Sequence, residues 1–198
     1  MIAGLLGVAS IVGAQTIDTT LLEHAWPKQR QRQLEVGRYT VHWRDRVTRQ
    51  QGVLVGLRFQ TPLGQQAVWD LATDYQDIGQ GTPGVTQVRI IEQGEGRQRI
   101  EIDVKVLWKQ LTLIFDVERH SPDTLRFALR NPSIADYRGI CRFDPIPGGG
   151  TAIELSTQLN PARPVPLGLL LLIERMTLLE GTKSFLETCE HHVKVAAR

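Results

Sequence analysis

Arg175 and Tyr137 are two polar residues that side-chain periodicity turns toward the interior, one on a predicted helix arc and the other on a predicted strand face. An arginine donates hydrogen bonds without losing its charge, and a tyrosine can pass a proton. Together they could bind a carbonyl or polarise an enolate in a ring-closing aldol reaction. The same position also suits an arginine whose stem runs to the rim of the fold or that pairs with an acid, and then neither residue is catalytic.

Other chemistries find little support. The histidines are His24, His42, His120, His191 and His192. The last two are adjacent, so on a helix they point about 100° apart and cannot share one ion. No His or Cys pair stands at metal-ligand spacing, and neither a metal nor a cofactor is expected. Gly-x-Ser-x-Gly, P-loop and dinucleotide fingerprints are missing from the sequence. Gly94-Glu95-Gly96 and Gly148-Gly149-Gly150 sit at predicted hairpin turns rather than before helices, which argues against phosphate cradles. Cys141 and Cys189 are too few for a disulfide scaffold and read as two buried thiols, with a single bridge left open.

The elements that would position these residues are legible from side-chain periodicity. Val53 to Phe59 reads as a strand, and Thr61-Pro62 as the N-cap and first residue of a helix with Leu63, Ala67, Val68, Leu71 and Ala72 on one face. A second short helical turn follows around Tyr75–Ile78. Val85 to Ile91 is a strand, and from Arg97 to Leu159 five more alternate apolar and polar residues between short turns. That pattern predicts an antiparallel meander with one apolar and one wet face. The proline-free stretch from Leu167 to Val193 predicts one long helix. Leu171, Leu172, Leu178, Leu179, Phe185, Leu186, Cys189 and Val193 fall in its apolar arc, together with Arg175, while Glu174 and Thr177 fall outside.

The first quarter of the chain differs from the rest. With 23 basic and 21 acidic residues the net charge is only +2, too little for a nucleic-acid-binding field, and no nucleic-acid partner is expected. Yet Lys28, Arg30, Arg32, Arg38, Arg44, Arg46 and Arg49 crowd into residues 28–49 with Trp26, Tyr39 and Trp43 nearby. The segment could touch an anionic membrane peripherally. Alternation over Tyr39–Arg44 equally describes a half-buried strand with outward arginines. Residues 1–14 are uncharged and shorter than the about 20 residues a spanning helix needs. They fit the apolar part of a secretory signal, with small residues at Val12-Gly13-Ala14, or a weak anchor. Three regions are therefore expected: an apolar segment 1–14, a basic extension 15–51, and a ligand-binding domain 52–198. A cytoplasmic or peripheral-membrane location is preferred, with export through residues 1–14 as the alternative.

Phe59-Gln60-Thr61-Pro62, Val68-Trp69-Asp70-Leu71-Ala72-Thr73-Asp74-Tyr75, Pro83-Gly84-Val85, Phe143-Asp144-Pro145-Ile146-Pro147-Gly148-Gly149-Gly150-Thr151 and the proline-rich approach to the last helix occur in a distinctive order. In this order the chain resembles the START-like superfamily, also called helix-grip or birch-pollen-allergen-like, and its polyketide cyclase/dehydrase and coenzyme Q-binding branch. The resemblance covers about residues 52–193. It implies an α+β fold: a curled antiparallel sheet gripping a long C-terminal helix, with two short helices after the first strand. It also implies a hydrophobic small-molecule ligand between sheet and helix. The pocket would be lined by Trp108, Phe115, Phe127, Tyr137, Cys141 and Phe143 from the sheet and by Arg175, Leu179 and Leu186 from the helix. The expected function is binding or transport of a lipid or isoprenoid quinone. The alternatives are a polyketide cyclase/dehydrase-type enzyme using Arg175 and Tyr137, and a membrane-surface adaptor whose core is filled.

Overall fold

The computed structural model describes residues 16–24, 31–82, 84–106, 109–130 and 135–196. Residues 1–14, Lys28, Arg30 and Trp108 lie outside them. The chain runs α1 (Thr20–His24), β1 (Arg32–Val36), β2 (Tyr39–Thr48), β3 (Gly52–Thr61), α2 (Gln65–Thr73), α3 (Tyr75–Gly81), β4 (Val85–Gly94), β5 (Arg97–Val106), β6 (Lys109–His120), β7 (Thr124–Leu129), β8 (Ala135–Pro145), β9 (Thr151–Pro161) and α4 (Leu167–Ala196). The strands form one antiparallel sheet in the order β1-β2-β3-β9-β8-β7-β6-β5-β4. This is the helix-grip arrangement: a curled sheet around a long C-terminal helix.

The meander from β4 to β9 folds back so that its last strand pairs with β3, with Leu57 opposite Leu155 and Phe59 opposite Ile153. Helices α2 and α3 carry the chain from central β3 to edge strand β4. Gly52, at φ 71°, opens β3 where it crosses β9; a Cβ there would lie 2.2 Å from the Leu159 carbonyl oxygen. Only glycine fits that crossing.

One local expectation is corrected. Helix α2 starts at Gln65 with Gly64 at its N-cap, not at Thr61 and Pro62. The residue before a proline is held extended, so Thr61 stays in β3, paired with Thr151. Asp74 closes α2 and caps α3 by accepting a hydrogen bond from the Asp77 amide at 3.2 Å.

The basic region contributes to the same sheet. β2 pairs with β3 and buries Val41 and Trp43 completely on the helix-facing side. Its arginines are partly neutralised at home: Arg32 pairs with Asp45, Arg38 with Glu190 and Arg44 with Glu154. Arg46 and Arg49 are exposed.

The main core lies between sheet and α4, where Trp43, Val55, Leu57, Phe59, Val68, Trp69, Phe143 and Leu186 pack together. A second cluster sits on the convex face, where Leu22 of α1 covers Leu54 and Ile140. There Arg126 pairs with Glu23, Arg138 donates to the Asp18 carbonyl, and the Ile17 amide donates to Glu118. Thus β3 is buried on both faces, and the segment before β1 is tied to the back of the sheet. Among the described residues no helix is long and apolar enough to cross a membrane.

Candidate functional site

The space between the curled sheet and α4 is not filled. It holds a cavity of about 370 Å³, inside the range of roughly 300–1,000 Å³ usual for small-molecule sites. Alternation on each strand turns every second side chain toward it. Ile100 and Ile102 come from β5, Phe115 and Val117 from β6, Leu125 and Phe127 from β7, Tyr137, Cys141 and Phe143 from β8, and Ile153 and Leu155 from β9. Phe59, Ala72, Tyr75 and Thr82 close it from β3, α2 and α3, and Thr177, Leu178, Gly181, Thr182 and Phe185 close it from α4. None of these lining residues carries a charged side chain.

One wall is an aromatic cluster. The Phe115, Phe127 and Tyr137 rings meet edge-on or tilted at centroid distances of 5.9–6.2 Å, a favourable geometry for aromatic pairs. The cluster depends on Gly139, which sits across from Phe127 between β7 and β8. A Cβ at Gly139 would come within 2.2 Å of the Phe127 ring. The glycine therefore lets the ring lie flat over β8 instead of projecting further into the cavity.

At the Tyr137 end stands a polar group that the apolar arc of α4 did not suggest. Glu174 is buried, and its carboxylate accepts a 2.8 Å hydrogen bond from the Thr157 hydroxyl. The Tyr137 hydroxyl interacts with both. Burial pushes the Glu174 carboxyl above its ordinary range, and the bonds from Thr157 and Tyr137 only partly offset this. Burial and the neighbouring Glu174 push the Tyr137 phenol well up, so it remains a neutral hydrogen-bond donor. The hydroxyl of Tyr75 is also buried, and it has no partner among the described residues.

The sequence-predicted residues divide accordingly. Phe115, Phe127, Tyr137, Cys141 and Phe143 line the cavity. Leu186 is buried in the core, Leu179 packs against that core, and Arg175 is partly exposed; none of the three lines the cavity. The pairing of Arg175 with Tyr137 over a bound ligand is thus not assembled, and Glu174 takes the position beside Tyr137. The reason is the rotation of α4. Its inward face is centred between Leu178 and Phe185 and includes Glu174, Thr177, Gly181 and Thr182, so Leu172, counted in the apolar arc, is 53% exposed. Thr157 did leave a signal: it shares the inward parity of Ile153, Leu155 and Leu159 on β9.

Both cysteines are free thiols. Burial raises Cys141 to about 12 and Cys189 to about 11, so neither is a ready nucleophile at neutral pH. Among the described residues no group of three or more His, Cys, Asp or Glu is placed to hold a metal ion. A smaller cavity of about 30 Å³, bordered by Leu71, Asp77, Ser184 and Thr188, shares Thr82, Gly181 and Phe185 with the main one. The two meet between the α2–α3 pair and α4.

A curled antiparallel sheet closing an apolar cavity with its C-terminal helix defines a START-like ligand-binding fold. Residues 58–185 match the family described as polyketide cyclase/dehydrase and lipid transport, and the chain belongs to it. No match emerges among curated proteins. Among solved structures, the chain is similar to human STARD10 (TM-score 0.70, 10% identity, 91% of this chain and 82% of that one). It is also similar to the STAR-related lipid transfer protein of Xanthomonas axonopodis (TM-score 0.66, 12% identity, 81% and 98%). The Zhui aromatase/cyclase of Streptomyces sp. R1128 shares the fold as well (TM-score 0.59, 14% identity, 79% and 97%). At these identities the likeness concerns the fold.

Proposed function

We propose that the protein binds and carries an uncharged hydrophobic small molecule, of the lipid or isoprenoid quinone class, in the cavity between the sheet and α4. The observation that carries this reading is a cavity of about 370 Å³ with no charged side chain among its described lining residues. Apolar walls supply affinity at roughly 25 cal/mol per Å² of ligand surface removed from water. An anionic group at this depth would meet no cation among the described lining residues and would face the Glu174 carboxyl beyond Tyr137. A carbonyl or hydroxyl, by contrast, finds a phenol donor in Tyr75, which has no partner among the described residues, and a ligand hydroxyl can donate to the Tyr137 oxygen, whose own hydrogen goes to Glu174. A buried donor without a partner costs about 1–3 kcal/mol, and a ligand oxygen at Tyr75 would recover part of it.

A ring-closing enzyme is the second reading. The observation in its favour is the Tyr137 phenol beside the buried Glu174. It would use Tyr137 to donate to a developing enolate, its hydroxyl turning from Glu174 to the substrate oxygen while Thr157 keeps its bond to Glu174. Arg175 has no part in it.

The test is native mass spectrometry of the purified protein with extraction of whatever is bound. A co-purifying neutral hydrophobic molecule, or uptake of an added isoprenoid quinone at one per chain, is the expected result. A protein that is empty and takes up neither lipid nor quinone overturns the carrier reading.

A further inference from the structure

Helix α4 carries a second apolar face, on its outer side. Leu169, Leu172, Ile173 and Met176 are 49%, 53%, 50% and 61% exposed. Their spacing is i, i+3, i+4 and i+7, so they form one stripe along the first turns. Buried Glu174 and cavity-lining Leu178 lie on the opposite side, and core packing does not account for the stripe.

The two ends of this face carry opposite charge. Glu180 and Glu187, both exposed, continue it toward the C-terminus, within about 20° of Leu169 around the helix axis. Before the stripe, Arg163 is exposed on the segment that leads into α4. Among the described residues these three form no ion pair, whereas Glu190 further along α4 is held by Arg38 and Lys194. Lys183 shares the outer side but extends toward the β1–β2 turn, where a Cβ at Gly37 would lie 3.7 Å from its Cε. Arg175 stands off the stripe, about 120° around the axis from Leu169. The face therefore runs from a basic end through an apolar middle to an acidic end.

We infer that two copies of this chain pair through the first turns of α4, antiparallel about a two-fold axis near Leu172 and Ile173. A two-fold axis lays a patch on its own copy, so every feature has to meet its complement. Here the apolar stripe meets itself. Glu180 stands about 11 Å along the axis from the middle of the stripe, and the antiparallel copy brings its Arg163 to that end. A parallel pairing would instead oppose Glu180 to Glu180. An anionic lipid surface would repel the same glutamates. Aliphatic and methionine side chains with charges only at the rim match the anatomy of a homodimer interface. The stripe is smaller than the about 800 Å² per partner of a standard interface, so the dimer is weak and depends on concentration. The inference concerns the exterior of α4 and holds whatever fills the cavity.

The test is sedimentation velocity of the full chain from micromolar to millimolar concentration. The wild type passes from monomer to dimer across that range. Leu172→Glu/Met176→Glu weakens the dimer by about tenfold or more, with thermal unfolding close to wild type because both side chains lie outside the core. Arg163→Glu and Glu180→Arg, made singly, each weaken it several-fold at low salt. Arg163→Glu/Glu180→Arg dimerises as the wild type does, because both symmetry-related pairs return with their signs exchanged. A wild type that stays monomeric throughout would overturn the inference. So would a Leu172→Glu/Met176→Glu variant that dimerises unchanged, or a double reversal no better than the single ones. A monomer that pellets with phosphatidylglycerol vesicles through Leu172 and Met176 would also overturn it and assign the stripe to a lipid surface.

Discussion

The Thr157 hydroxyl on β9 donates a 2.8 Å hydrogen bond to the Glu174 carboxylate on α4, inside the protein and next to the Tyr137 phenol. This bond joins the sheet to the helix that closes it, through a carboxyl that burial makes hard to ionise. Its consequences are measurable.

In the unfolded chain a glutamate titrates near 4.5, while in the folded protein Glu174 holds its proton to higher pH. The folded state thus binds more protons than the unfolded state between those two values. The stability contributed by protonated Glu174 is complete below the unfolded value and is lost as pH rises through the folded one. Glu174→Gln keeps an oxygen for Thr157 without the charge. It is expected to raise the melting temperature at pH 7–8, by about 2–4 °C for each kcal/mol recovered, and to flatten its fall with pH. Melting curves from pH 4.5 to 8.5 check this; a variant less stable than wild type at pH 8 would contradict it.

Gly139→Ala should rearrange the aromatic wall. The new methyl would collide with the Phe127 ring, and relieving such a clash in a packed interior costs about 1–3 kcal/mol. The cavity that Phe127 lines is open space for the ring to move into, so ligand capacity should fall with stability. Denaturant unfolding and uptake of a hydrophobic fluorophore measure the two effects, and unchanged uptake would show that the ring moves elsewhere.

Tyr75→Phe separates folding from binding. Its hydroxyl is buried without a partner among the described residues, so deleting it should leave stability unchanged or raise it by about 1 kcal/mol. Affinity for an oxygen-bearing ligand should drop several-fold. A loss of stability above that magnitude would mean the hydroxyl serves the fold.

Gly181 lies inside α4, and a Cβ there meets nothing within 4 Å. Since glycine in a helix interior is about 0.8–1 kcal/mol less favourable than alanine, Gly181→Ala should stabilise the protein by up to that amount, read from denaturant midpoints. An increase in the cost of folding would show that the helix needs the glycine.

How far the sequence disclosed this molecule depends on the element. The strands of the meander were legible because one face is apolar and the other wet, and a period of two cannot be mistaken when Ile100, Ile102, Phe115, Val117, Leu125 and Phe127 all keep it. The inward positions of Tyr137, Cys141 and Phe143 follow from the same parity. The rotation of α4 was not legible. Both of its sides are apolar in the first turns, and the side facing the cavity is the one bearing Glu174, Thr177, Gly181 and Thr182. Hydropathy alone centres the arc on the leucines, which draws Leu172 inward and leaves Glu174 out. β1 and the docking of α1 escaped notice because they are short. They are held by particular pairs, such as Arg126 with Glu23, that no periodicity announces.

The central claim is that the cavity under α4 is the ligand site, and Gly181→Trp addresses it most directly. The added indole starts from a cavity-lining position with open space around its Cβ, so it should occupy the cavity while α4 stays folded. Native mass spectrometry with an added isoprenoid quinone should show one bound molecule per wild-type chain and none on folded Gly181→Trp. Equal occupancy of the two proteins, or none on the wild type, would contradict the account.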